Sequence, residues 1–171
     1  PFRAKKDPRD LRILDPACGS GHFLLYAFDL LLTIYEEAWA DEASPKSEVS
    51  GRSLREDYPE LDSLRAAVPG LILRHDLHGI DIDPRCAQIA ALALWMRAQR
   101  AFTDLGLAHN ARPRIQKTNI VVAEPMPGEP ELRREFIATL SPMLGKLVER
   151  VFERLELAGE AGSLLRIEDD I

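Results

Sequence analysis

The sequence predicts an α/β fold in which a parallel sheet is flanked by helices, and three observations support this. A short apolar strand at residues 11–14 leads through a glycine-containing turn into an apolar helix at about 22–39. A second strand at 77–82 leads into an apolar helix at 85–102. The order of these elements predicts a right-handed strand–helix–strand unit whose loops meet at the carboxyl ends of the parallel strands. Ligands of such sheets bind at that edge.

The helix at 85–102 has a defined start in the sequence. Asp83 can cap a helix with its side chain, and Pro84 is suited to the first helical position. The helix is apolar on nearly all sides, which is typical of a helix that covers a parallel sheet.

The remaining segments are less regular. Residues 40–76 are polar, and we interpret them as a surface insertion, partly mobile, with a short helix at 61–67. Residues 114–115 and 120–122 frame a third strand near Asn119. An amphipathic helix is expected at 131–157, split by Pro142 and Gly145. The tail at 163–171 has one short apolar run, which fits a strand edge or a frayed end.

We therefore expect one partial domain over 1–171. Its segments are 11–39 (first strand and helix), 40–76 (insertion), 77–102 (second strand and helix) and 103–171 (third strand, helical region and tail).

The bulk composition is that of a soluble globular protein. The chain has 171 residues, of which 46% are hydrophobic and 29% charged, so it can form a real core. Its net charge of -6 lacks the basic footprint of a self-sufficient nucleic-acid binder. Any contact with a polynucleotide must be local or made by other parts of a longer protein. Because the sequence lacks an initial methionine and stops after an acidic run, we interpret it as a fragment.

Neither the cysteines nor the histidines predict a metal or disulfide site. Cys18 and Cys86 have no paired spacing, and the small Cys18 suits a turn better than it suits a nucleophile. The histidines at the helix start and before the second strand are more typical of structural or exposed positions. The charged N-terminus has no apolar leader core, and no apolar stretch is long enough to span a membrane, so we expect a cytoplasmic location without membrane contact.

The turn after the first strand has the chemistry of a ligand site. Gly19 and Gly21 allow a sharp bend and a close approach of the backbone, and the N–H groups at the helix start favour an anionic group. Asp81, at the end of the second strand, can accept hydrogen bonds from both hydroxyls of a ribose. Asp15, at the head of the turn, would repel a pyrophosphate but suits a ligand with a positive end. These charges favour S-adenosylmethionine over NAD as the cofactor.

Two segments resemble a known family. The segment LDPACGSGHFL (residues 14–24) looks like motif I of the adenine-N6 DNA methyltransferases, and GIDIDP (79–84) resembles their motif II. The most similar type is the long single-chain enzyme of restriction-modification and phage-resistance systems. The resemblance covers residues 11–102 well and the rest loosely, so the chain would carry motifs I to III. It implies a class I, Rossmann-like fold dependent on S-adenosylmethionine.

The resemblance also implies roles for individual residues. Asp15 and the turn would bind the methionine part, Asp81 the ribose, and Ile82 would pack on the adenine. Asn119 occupies the place of an acid that contacts the adenine amino group in the family. The expected turn contacts are Pro16, Ala17, Cys18, Gly19 and Gly21, with Phe23 as a further contact.

The catalytic Asn/Asp-Pro-Pro-Tyr/Phe motif of the family does not occur in these 171 residues. We therefore assign no catalytic residue, expect the chain alone to be inactive, and expect contact with DNA through other parts of the protein, including a specificity domain or subunit. Two alternatives remain open at this point: an amino-methyltransferase acting on RNA or protein, and a non-catalytic binding or scaffold module with the same fold.

Overall fold

The sheet has three parallel strands in the order β1 (Ile13–Asp15), β2 (Leu77–Asp81) and β3 (Asn119–Val122). The computed structural model describes residues 4–123 and 129–155. In the register, Asp15 is opposite Gly79, and Asp81 is opposite Val122. The predicted α/β class with a parallel sheet is confirmed, and the third strand begins at Asn119 as a continuous segment, without residues 114–115.

Helices α1 (His22–Ala40) and α4 (Pro84–Asp104) connect the three strands. Both pack against β2 and against each other, as right-handed connections between strands in this order require. Asp83 caps α4 by accepting a hydrogen bond from the backbone N–H of Arg85, so the predicted helix start is confirmed. The buried residues of α1 are mostly large, whereas those of α4 are mostly small. They are Leu24, Ala27, Phe28, Leu31 and Tyr35 in α1, and Ala87, Ala90, Leu94, Ala98, Ala101 and Phe102 in α4.

The segment 40–76 differs from the predicted surface insertion. It contains α2 (Leu54–Asp57) and α3 (Leu61–Leu71), and α3 continues into a π-helical turn at Ile72–Asp76. Leu64, Val68 and Ile72 are fully or almost fully buried in the main core. They recur at helical spacing, so a few apolar side chains on one face anchor a segment that is otherwise polar.

The chain divides into two compact units, Pro1–Glu124 and Pro125–Ile171, where the sequence was interpreted as a single partial domain. The second unit contains α5 (Pro130–Ala138) and α6 (Pro142–Leu155). The predicted split of a long helix occurs before Pro142, which begins α6, while Gly145 lies within α6 against Ile137. The predicted strand or frayed end at 163–171 lies outside the described residues. None of the helices in the described ranges is both long and apolar enough to cross a membrane.

Candidate functional site at the carboxyl edge of the sheet

Two loops meet at the carboxyl ends of β1 and β2. The backbone N–H of Cys18, in the loop after β1, donates to the carbonyl of Ile80 at 2.9 Å. The next N–H along the chain, that of Gly19, donates to Oδ2 of Asp81 at 2.8 Å. These bonds join the glycine turn to the end of β2, so the two sequence motifs form one continuous edge.

The backbone of the turn requires glycine at two positions. Gly19 has φ +53° and Gly21 has φ +85°, in the left-handed region that L side chains disfavour. A Cβ on Gly21 would also lie 3.0 Å from the Cβ of Ala90 and 3.2 Å from its Cα. The turn therefore lies directly on α4, and both the left-handed backbone and the missing side chain allow this contact.

Asp81 is the centre of the hydrogen bonding at this edge. Its Oδ2 accepts from Gly19, and its Oδ1 accepts from the backbone N–H of Asp83 at 2.8 Å. An ionised carboxylate offers about four acceptor positions, so each oxygen retains one for a further donor. Asp81 thus orders both loops and can still accept hydrogen bonds from a ligand.

Asp15 lies at the end of β1, two register positions behind Asp81 in the neighbouring strand. Its Oδ1 accepts a long hydrogen bond, 3.2 Å, from the backbone N–H of Ala17, while Pro16 and Ala17 are exposed. The carboxylate is half-buried, and it places a negative charge beside the turn.

Cys18 packs inward beneath the turn and is 6% exposed. Gly79 makes room for it, because a Cβ at Gly79 would lie 3.1 Å from the Cys18 sulfur and closer still to the side chains of Leu24 and Ile120. Burial raises the pKa of the Cys18 thiol, and the negative charges of Asp81 and Asp15 raise it further. The thiol is therefore held protonated at neutral pH, which is unsuited to nucleophilic attack.

The first turn of α1 points its N–H groups at the same edge. Gly21 is the N-cap and has no side chain to accept from them, and the first turn contains no acidic residue. Backbone donors at a helix start carry partial positive charge and favour an anionic group. Two apolar side chains are exposed nearby in sequence, Phe23 at 57% in α1 and Ile82 at 80% after β2.

Asn119 does not join this cluster. It is the first residue of β3, opposite His78, and so lies toward the amino edge of the sheet. Its side-chain amide donates to the carbonyls of Leu73, Arg74 and Leu77 at 3.2, 3.0 and 3.4 Å. The expected contact between Asn119 and a cofactor adenine is therefore not compatible with this placement. The sequence predicted Asn119 at the end of the third strand, in the place of the family's acid, whereas it is the first residue of that strand.

Sequence reasoning missed two contributors to the site. Ala90 contacts the turn at Gly21, and the backbone N–H of Asp83 binds Asp81. The spacing of alanines along α4 was a usable signal for the first, since small residues on one face allow close packing. The hydrogen bond from Asp83 to Asp81 depends on the geometry of the loop, which the sequence does not indicate.

The histidines near the site have other partners. The ring of His22 is hydrogen-bonded through Nδ1 to the Ser20 hydroxyl at 2.9 Å. Within the described ranges, no three His, Cys, Asp or Glu side chains are grouped so that they could hold a metal ion.

Three similar proteins have names that describe modification enzymes. The chain is 35% identical over 97 residues to the adenine-specific methyltransferase BrxX of Escherichia coli O9:H4 (strain HS) and 34% identical over 97 residues to the adenine-specific methyltransferase PglX of Lacticaseibacillus casei (strain Zhang). Over 96 residues it is 40% identical to a putative type II restriction enzyme and methyltransferase of Methanocaldococcus jannaschii.

These alignments include 57%, 57% and 56% of this chain but only 6%, 6% and 7% of the respective relatives. The chain thus matches a small part of much longer proteins. The family comparison covers more of the chain and coincides with the unit that holds the sheet and both loops. Residues 4–124 match the model of the MmeI DNA-methyltransferase domain, and the chain belongs to that family.

Proposed function

We propose that this chain binds S-adenosylmethionine at the carboxyl edge of its sheet and forms the cofactor-binding part of a DNA methyltransferase that modifies adenine at N6. The observation that carries the proposal is the hydrogen bond from Gly19 to Asp81, because it makes one site from the two loops. The family and the names of the relatives favour DNA over RNA or protein as the substrate of the whole enzyme.

The residues at the edge match the groups of this cofactor in charge and shape. The glycine turn and the first N–H groups of α1 suit its carboxylate. The carboxylate of Asp15 suits its ammonium group, and the free acceptor positions of Asp81 suit the ribose hydroxyls. Ile82, exposed directly after Asp81, offers an apolar surface for the adenine. Pro16, Ala17, Cys18 and Phe23 complete the proposed contacts.

The proposal also explains why a dinucleotide is a poor fit. Both Asp15 and Asp81 lie at the same edge, and two carboxylates there disfavour a pyrophosphate. The bound cofactor would supply an electrophilic methyl group, and the chain's own contribution would be to hold that group in a fixed orientation. The residues that bind and position the target base would come from outside this chain, since Asn/Asp-Pro-Pro-Tyr/Phe is absent from its sequence.

Isothermal titration tests the proposal on the 171-residue chain. S-adenosylmethionine and its demethylated product, S-adenosylhomocysteine, should both bind, and NAD should not. The absence of heat with both methyl-donor ligands would refute the cofactor assignment and would favour a scaffold module.

Methyl transfer from labelled S-adenosylmethionine to adenine-containing duplex DNA tests the second half of the proposal. The chain alone should transfer no label above background, because it lacks the catalytic motif. Transfer by the purified chain would contradict the proposed division between cofactor binding and base recognition.

A further inference from the structure

A basic cavity lies at the amino edge of the sheet, at the opposite ends of β2 and β3 from the candidate cofactor site. Its volume is about 260 Å³, and it is formed by the end of α3, the turn after it and the segment before β3. A cavity needs only roughly 10–15 Å³ of this kind of volume to hold one water molecule, so a phosphate group fits. The lining residues are Gly70, Arg74, Arg114, Ile115, Gln116 and Lys117.

The three cations of the basic cavity have no anionic partner among the described residues. Arg74, Arg114 and Lys117 are exposed, and none of them forms an ion pair with any acidic side chain of residues 4–123 and 129–155. None of the described residues that line the cavity is acidic. In a chain with net charge -6, such a convergence of cations is a local reversal of the overall charge.

A second cavity also contains basic residues, but these are paired with acidic side chains. It has a volume of about 160 Å³, lies between α1, α3 and α4, and contains Arg65 and Arg97. There each arginine is paired, Arg65 with Glu36 at 2.7 Å and Arg97 with Asp29 at 2.6 Å. Its positive charge is therefore neutralised locally, whereas that of the basic cavity is not.

Asn119 holds the basic cavity together. Its side-chain amide donates to the carbonyls of Leu73 and Arg74, which links the turn carrying Arg74 to the start of β3, just after Lys117. Carbonyl groups at a helix end carry partial negative charge and would repel an anion. Because the Asn119 amide engages them, that repulsion is reduced where the cations converge.

The surroundings of His75 are consistent with a positive potential at this edge. Burial lowers the pKa of His75, and the positive charges of Arg12 and Arg74 lower it further. Arg12 also lies 3.9 Å from the carboxylate of Asp76, which is fully buried.

We propose that the basic cavity binds phosphate groups of the duplex DNA backbone. The described lining residues include no aromatic side chain on which a base could stack, so the phosphate is the group they can recognise. The β2 strand separates this edge from the candidate cofactor site by roughly 13 Å, at about 3.3 Å per residue. The contact therefore adds affinity and orientation for flanking DNA and reads no sequence. Only the choice of DNA over a free phosphate rests on the proposed function.

The test compares two triple variants of the 171-residue chain by fluorescence anisotropy with a labelled duplex, at low and at physiological salt. R74Q/R114Q/K117Q removes the cations of the basic cavity. K5Q/K6Q/R100Q is the matched control, since it removes the same charge from exposed residues that are paired with Asp41, Glu48 and Asp104. The single variant Lys117→Gln repeats the measurement with the least disturbance of the fold.

The cavity variant should bind the duplex at least about fivefold more weakly at low salt than the wild-type chain does. The slope of the logarithm of its binding constant against the logarithm of the salt concentration should be smaller in magnitude by up to about 2.7, since each phosphate contact contributes roughly 0.9. The control should keep the wild-type slope. Equal losses in both variants, or no binding by the wild-type chain, would overturn the proposal.

Two further measurements separate this proposal from others. If inorganic phosphate binds the wild-type chain by titration and the duplex does not, the site is one for free phosphate, and the DNA assignment is overturned. S-adenosylmethionine should bind the cavity variant as it binds the wild-type chain. If the wild-type chain does not bind the cofactor, the proposed function is refuted. If the cavity variant binds the duplex with the same salt dependence as the wild-type chain, only this inference is refuted.

Discussion

The carboxylate of Asp81 accepts a hydrogen bond of 2.8 Å from the backbone N–H of Gly19, a residue 62 positions earlier in the chain. This bond connects the turn after β1 with the end of β2. The other oxygen of Asp81 accepts from Asp83, so one side chain orders both loops of the candidate site. A residue proposed to bind the ribose therefore also maintains the backbone that would hold the rest of the cofactor.

Replacement of Asp81 by alanine should weaken S-adenosylmethionine binding by about tenfold or more. A hydrogen bond to a charged group contributes about 1.5 to 3 kcal/mol, and here the ligand contacts and the ordering of the turn are lost together. Isothermal titration of the variant against the wild-type chain measures the effect, and unchanged affinity would remove Asp81 from the site.

Asp83→Asn is the matched control for this experiment. Asparagine caps a helix as well as aspartate does, so α4 should keep its start while the exposed ion pair with Arg85 is lost. The backbone N–H of residue 83 still donates to Asp81. Cofactor affinity should therefore match that of the wild-type chain.

The sequence predicted the strands, the turn and the helices that form this edge, but not the hydrogen bonds and packing contacts between them. Asp15, the glycines and Asp81 stood out because each residue type has a distinct chemical or backbone property at the end of a strand. The dual hydrogen bonding of Asp81 could not be predicted, since it depends on the separation of two loops in space. Asn119 was placed at the end of the third strand because apolar residues lie on both sides of it, but only those after it form β3. The core residues of α3 were missed because only a few apolar positions lie within a polar segment.

Gly21→Ala should destabilise the chain by at least about 1 kcal/mol more than Gly19→Ala. Both substitutions force an L residue into the left-handed region, which costs roughly 1–2 kcal/mol. At Gly21 the new Cβ would also meet Ala90 at 3.0 Å, whereas at Gly19 no atom of the described residues lies within 4 Å of it. Overpacking of this kind adds about 1–3 kcal/mol. Urea unfolding of the two variants gives the comparison directly.

A double variant separates the two contributions at Gly21. Ala90→Gly removes the nearer of the two Ala90 atoms that the new Cβ would meet, so it should be less destabilising in the Gly21→Ala background than in the wild-type chain. Strict additivity of the two changes in unfolding free energy would show that the contact between the turn and α4 is not the cause.

Cys18 should react with iodoacetamide more slowly than Cys86 at neutral pH. The Cys18 thiol is buried and its pKa is raised by burial and by the charges of Asp81 and Asp15, whereas Cys86 is partly exposed. Both effects reduce the accessible thiolate, which is the reactive form. Mass spectrometry of Cys86→Ser and Cys18→Ser variants isolates each thiol in turn. If Cys18 is alkylated as fast as Cys86, the inward packing of its sulfur is contradicted.

Because of Asp76, the free energy of unfolding of the chain should fall as the pH rises from about 4 to about 7. Its side chain is fully buried, and burial raises its pKa from 3.8 to about 7, although the hydrogen bond from the Tyr35 hydroxyl (2.9 Å) opposes this. Between these values the folded chain holds a proton that the unfolded chain has released, so rising pH favours unfolding. Asp76→Asn cannot ionise and lacks this effect.

The difference in unfolding free energy between Asp76→Asn and the wild-type chain should therefore shift in favour of the variant with rising pH. The shift across this window should be at least about 1.4 kcal/mol, the equivalent of one pKa unit. Urea unfolding at pH values below, within and above the window measures it. Tyr35→Phe removes a hydrogen bond that lowers the pKa of Asp76, so in that variant the window should extend to higher pH. A difference between Asp76→Asn and wild type that is independent of pH would mean that Asp76 is ionised at all these pH values, stabilised by Arg12, whose positive charge also lowers its pKa.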